Sequence, residues 1–202
     1  SLVKLLSPLG DVEIIEDVNG GIEGCYGMTG KWRMKTTAWD ILFRDLDEKY
    51  TWIIEDDVAM SQEAINKVFN HFKDKDVDLI AKSFFSEKEY PTWGWWAVND
   101  YFDKDELCHS LNCFCRISPR LIKYVKQYKK ENDGVGLFHE ILFPVLAGRS
   151  KESLDDGIFS DYFKESSFSW DHSKVSLSNP DVHKFYHPVK GAKKHFEICN
   201  LK

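Results

Sequence analysis

The sequence predicts an α/β fold with a mostly parallel central sheet, and three observations carry that prediction. Strand and helix patterns alternate from Val12 to Ala81, which is the signature of the class. A strand, helix, strand unit spans Val12 to Ile54, and such crossovers join parallel strands. Finally, a short apolar run, Trp52, Ile53 and Ile54, stops abruptly at Glu55, Asp56 and Asp57. It reads as a strand buried on both faces, with the acids at its C-terminal end, where open parallel sheets bind ligands.

In chain order, Val12 to Ile15 is the first strand, and the glycine-rich stretch from Gly20 to Gly30 is a loop that matches no phosphate-binding fingerprint. Lys31 to Tyr50 is a helix, because Met34, Ala38, Ile41 and Leu42 recur at helical spacing. On it Arg33, Lys35 and Trp39 are placed to reach a diphosphate, or else they are solvated charges and a packed Trp. Ser61 caps a second helix whose Ile65, Val68, Phe69 and Phe72 share one face. Val77 to Ala81 is the next strand.

The character changes after Ser83. Tyr90 to Trp96, YPTWGWW, packs four aromatics around Pro91 and Gly94 and fits neither the helix nor the strand period, so it reads as a loop. Trp93, Trp95 and Trp96 offer faces on which sugar rings stack, or they plug the core. Leu111 to Ile117 is a strand. Ser118-Pro119 then starts a helix carrying Leu121, Ile122 and Val125, with Lys126 to Asp133 as its charged, solvated end. Leu137 to Leu146 is an apolar segment with His139 and Glu140 near its start. A Glu in a first helical turn suits the helix dipole, and beside a sugar site it would also suit a general base. In Asp181 to Lys190, Pro188 keeps His187 out of helix. His187 is then either a structural histidine or a further metal ligand.

Three adjacent carboxylates repel one another unless a counter-charge is present. A divalent cation with hard oxygen ligands, Mg²⁺ or Mn²⁺, supplies one and also bridges to phosphates. A solvated acidic turn is the plainer alternative. The net charge of −6 and the lack of a basic tract argue against a nucleic-acid surface. With 43% hydrophobic and 30% charged residues the 202-residue chain has the composition of a folded domain with a real core, and no apolar run reaches the length of a membrane span. Five cysteines, an odd number, favour the cytoplasm or another reducing compartment.

An apolar strand ending in Glu55-Asp56-Asp57 and followed by a helix headed by Ser61 resembles the metal-binding DXD-type motif of GT-A-fold glycosyltransferases. The EDD form is similar to that of N-acetylglucosaminyltransferases in the class. The resemblance implies a Rossmann-like three-layer α/β/α sandwich: one domain over residues 1–202, with a nucleotide-sugar half to about residue 100 and an acceptor half beyond it. It implies a nucleotide-sugar donor, usually a UDP-sugar, and Mn²⁺ or Mg²⁺ coordinated directly by Asp57, while Glu55 and Asp56 orient ribose, sugar or metal waters. Glu140, next to His139, takes the family's general-base position, and His187 in YHPVK completes the metal shell. The expected reaction is transfer to a hydroxyl of a glycan acceptor, with inversion. Ser1 to Gly10 departs from the pattern, being short for the family's first strand and nucleotide-contacting loop.

Two other classes fit parts of the chain. A sugar nucleotidyltransferase shares the α/β fold and the metal, but residues 20–30 supply its glycines without its basic residues. A non-catalytic carbohydrate-binding protein would use YPTWGWW as its platform and the acids for Ca²⁺.

Overall fold

Long apolar runs dictate the sheet, and the computed structural model, which describes residues 2–14, 50–94, 96, 102–132 and 139–202, shows how they pair. Contacts divide the chain into two units that interleave in sequence. One comprises Ser1–Glu13, Ile53–Asp76 and Ser153–Lys202; the other comprises Ile14–Trp52 and Val77–Glu152. The molecule is mixed α/β, with a four-stranded mixed sheet and five α-helices among the described residues.

The second unit is built on that sheet, which runs in the order β1 (Thr51–Ile54), β4 (Cys108–Ile117), β3 (Leu79–Ser86), β5 (Lys151–Ser153). β3 and β4 are antiparallel, with Leu79 opposite Ile117 and Ser86 opposite Cys108. The register shifts twice along the pair, between Ile80 and Lys82 and again between Lys82 and Phe85. Ser83, at φ 58°, takes the left-handed conformation in this irregular stretch. β4 is buried along nearly all its length, as its run of Leu111, Cys113, Phe114, Cys115 and Ile117 requires.

Ser118 and Pro119 start α3 (Pro119–Glu131) as their types demand: the Ser118 hydroxyl accepts the Leu121 amide at 3.0 Å. The same hydroxyl donates to Asp78 at 2.5 Å, which pins the helix start to the start of β3. α4 covers His139–Ala147, with Glu140 in its first turn.

In the first unit, α1 (Leu2–Leu6) and α2 (Gln62–Phe72) are followed later in the chain by α5 (Ala192–Cys199). Ser61 caps α2, accepting the Ala64 amide at 3.0 Å, and its hydroxyl donates to the Val182 carbonyl at 2.5 Å. α2 buries Ala64, Ile65, Val68 and Phe72, the face its 3.6-residue period specifies. β2 (Ala59–Met60) pairs antiparallel with β6 (Phe185–Tyr186). Phe163 stacks on Phe185 at 4.5 Å and meets Phe168 edge-on at 5.2 Å. Each of these fully buried rings contributes roughly 1.5–3 kcal/mol by area.

Several expectations are corrected. Val12 to Ile14 form no strand and Ile14 is exposed, since a strand-like pattern becomes a strand only where a partner edge exists. The helix expected over Lys31 to Tyr50 lies almost wholly outside the described residues, so the parallel strand, helix, strand unit is not seen. Thr51 to Ile54 is half-buried and sits at the edge of the described sheet, not buried on both faces. An apolar run reports local composition; the strand order decides how much of it is covered. β3 and β4 extend past their predicted ends because each supplies the other's hydrogen-bonding partner.

Candidate metal centre

A tight turn and a short ladder assemble the site. β1 ends at Ile54, and the Val58 amide closes a turn on the Glu55 carbonyl at 3.1 Å, leaving Asp56 and Asp57 as its central residues. The β2–β6 register, Ala59 opposite Tyr186, then brings Asp57 and His187, each just outside its strand, to the same end of the ladder. The Val189 amide donates to the Asp57 carbonyl at 2.8 Å and extends that pairing.

His187 is fixed from behind. Its amide donates to the Ser167 carbonyl at 2.9 Å and its carbonyl accepts the Ser169 amide at 3.0 Å, a parallel bridge to the Phe168 segment. Its Nδ1 donates to the Ser169 carbonyl at 2.8 Å, which leaves Nε2 facing the acids. Nε2 lies 3.4 Å from Asp57 Oδ1 and 3.7 Å from Glu55 Oε2. One ligand atom from each of Glu55, Asp57 and His187 falls within 4.8 Å of the others. Glu55 is exposed, Asp57 is 13% exposed at its side chain and His187 9%.

Three adjacent acids call for a counter-charge. The protein supplies two of its own. Lys190 forms an ion pair with Asp57 Oδ2, and His187 faces Oδ1. Burial pushes the Asp57 carboxyl up, but the hydrogen bonds from His187 and Lys190 outweigh it and hold the group down at about 2. Burial pushes the His187 imidazole down, and its contacts with Asp57 and Glu55 raise it to about 9. The Ser169 carbonyl also helps hold the His187 proton. The His187 contact to Asp57 Oδ1 is long, 3.4 Å, and this buried oxygen has no well-formed hydrogen bond among the described residues. A buried charged acceptor held so loosely has room for a stronger partner, so this atom fits a ligand position.

Asp56 is exposed in the turn. Arg33, Lys35 and Trp95 lie outside the described residues. Glu140 and His139 belong to the second unit, at the start of α4, where the Asn112 amide donates to Glu140 Oε1 at 3.4 Å and the Asn112 side chain donates to the His139 carbonyl at 2.9 Å. Trp96 is a core plug: it is 7% exposed and its Nε1 donates to the Tyr90 carbonyl at 2.7 Å. Trp93 is half-buried and lines a cavity.

Sequence reasoning missed Lys190, Ser169 and Asn112. Lys190 had a signal, since it follows His187 by three residues in an extended segment. Ser169 had none, because it acts through its backbone carbonyl. Comparison of the chain with protein-family models, curated proteins and solved structures finds no match. Among the described residues no helix is long and apolar enough to cross a membrane.

Proposed function

We propose that the chain is a metal-dependent glycosyltransferase of the GT-A class, moving a sugar from a nucleotide-sugar donor, of the UDP-sugar type, to a hydroxyl of a glycan acceptor with inversion. One observation supports the reading above the rest. Glu55 and Asp57 meet His187, far along the chain, with one ligand atom of each within 4.8 Å of the others, and among the described residues the buried Asp57 Oδ1 is held only by a long, 3.4 Å contact with His187 Nε2. A mixed set of carboxylates and an imidazole suits Mn²⁺, with Mg²⁺ next. When bound, the cation supplies neutralising charge for a diphosphate leaving group. The cytoplasm or another reducing compartment is part of the same proposal.

The chain's own residues do the rest. Asp57 and His187 would hold the ion, and the Ser169 carbonyl fixes the His187 ring with Nε2 toward the acids. Glu55 and Asp56 orient the ribose, the sugar or waters at the rim. Lys190, paired with Asp57 and 64% exposed, would be free to turn to the diphosphate, a role it would share with Arg33 and Lys35. Glu140 removes the acceptor's hydroxyl proton.

The test is UDP release from a panel of UDP-sugars with Mn²⁺, with and without glycan acceptors. Asp57→Ala is expected to abolish metal-dependent turnover while the unfolding transition persists; wild-type turnover in that variant ends the proposal. Glu140→Gln is expected to keep donor binding and lose roughly 10²–10⁴-fold in transfer, the usual contribution of a general base. Normal transfer removes Glu140 from that role.

A further inference from the structure

The second unit carries a cavity of about 700 Å³ that none of the metal-centre residues line. Its size falls within the range of small-molecule sites. Trp93, Trp96 and Phe102 contribute aromatic surface, and Glu87, Asp103 and Lys104 contribute charge. We propose that this cavity is a binding site for a neutral pyranose unit of a glycan, with Trp93 as the stacking face and Glu87 and Asp103 as acceptors for sugar hydroxyls.

The chemistry of the lining points to that ligand class. A pyranose presents a C–H face that stacks on an indole and an edge of hydroxyl donors. Ionised carboxylates only accept, so Glu87 and Asp103 suit hydroxyls at that edge. Among the described lining residues, two acids stand against one ammonium, which disfavours uronates and phosphorylated sugars. Lys104 stands 3.9 Å from Glu87 and is partly neutralised by it.

Trp93 is also held ready. Its ring meets Trp96 edge-on at 4.7 Å and His109 edge-on at 4.1 Å, and Trp96 is itself tied to the Tyr90 carbonyl. A pre-oriented platform loses little freedom on binding, which is how a shallow aromatic surface gains useful affinity. The site stands on its own lining and does not rest on the transferase reading.

The experiment is ligand-observed saturation-transfer NMR and calorimetry on the full chain, with methyl glucopyranoside, a neutral glucose disaccharide and glucuronic acid as probes. UDP with Mn²⁺ is titrated separately. The neutral probes are expected to bind and glucuronic acid to bind more weakly. Trp93→Ala is expected to weaken neutral binding by about tenfold or more, with Trp93→Phe recovering part of the loss. Because removing Trp93 disturbs its aromatic neighbours, Gly94→Phe is the second variant. Gly94 lines the cavity and a Cβ added there meets nothing within 4 Å, so the new ring obstructs the site without deleting a contact. Neutral sugars that fail to bind, or that bind Trp93→Ala and Gly94→Phe as well as the wild type, overturn the proposal. Sugar binding with no response to UDP and Mn²⁺ upholds it and removes the transferase; the reverse result removes this proposal alone.

Discussion

Raising the pH should tighten cation binding at the centre through one proton. His187 is held protonated to about pH 9 by Asp57 and Glu55, and its Nε2 cannot carry that proton and a metal together. Asp57, held down at about 2, is ionised throughout and contributes no slope. Between about pH 6.5 and about 8.5 the apparent Mn²⁺ affinity therefore rises about tenfold per pH unit, about a hundredfold in all, and levels off near pH 9. In the metal-free protein the same shift acts on stability. His187 has a raised pKa, so its contribution is fully present below pH 6.5 and is lost as pH climbs through about 9. The loss amounts to about 3 kcal/mol, an upper figure for a coupled pair. Calorimetry in buffers of different ionisation enthalpy reads both the affinity and the protons released, with about one proton expected per ion near neutral pH. His187→Gln should bind more weakly and without the slope. Affinity that is flat across this window in the wild type, or an unchanged slope in His187→Gln, would refute the assignment of His187 as a ligand.

Three further outcomes follow from the same contacts. Lys190→Met removes the ammonium that competes for Asp57, so Mn²⁺ affinity without nucleotide should rise about two- to fivefold, in line with an exposed ion pair; unchanged or weaker binding by calorimetry counts against the competition. His109 is buried, and burial lowers it to about 4, so its contribution is present above pH 6.5 and lost as pH falls through about 4. Urea unfolding should show about 3 kcal/mol of acid destabilisation that His109→Phe reduces. Ser118→Ala removes a helix cap and a bond to the buried Asp78, and urea unfolding should register a loss of about 2 kcal/mol; a loss near zero would show that Arg120, 2.9 Å from Asp78, suffices.

Local signals were legible where the chemistry is local. Ser61 and Ser118 precede apolar helical periods, and each caps its helix as its type predicts, because a hydroxyl and an amide three residues on meet within one turn. Glu140 falls in the first turn of α4, where a carboxylate meets the positive end of the helix dipole. The acids at the end of β1 and the extended His187 were also readable as metal-ligating types. YPTWGWW was not resolvable from its letters: Trp96 became a plug and Trp93 a cavity wall, a division made by Tyr90 and His109.

The chain's own order of residues determined that Ser61 and Ser118 would cap helices, that the apolar runs in β1, β3 and β4 would be strands, and that carboxylates and an imidazole were on hand for a cation. Only the folded arrangement decided that β1 lies at the edge of the described sheet, that β3 and β4 run antiparallel, and that Lys190 reaches Asp57. The reason is one of range. Helix period and capping act over three or four neighbouring residues, whereas strand order, register and the meeting of Asp57 with His187 depend on which distant segments bury one another's apolar faces.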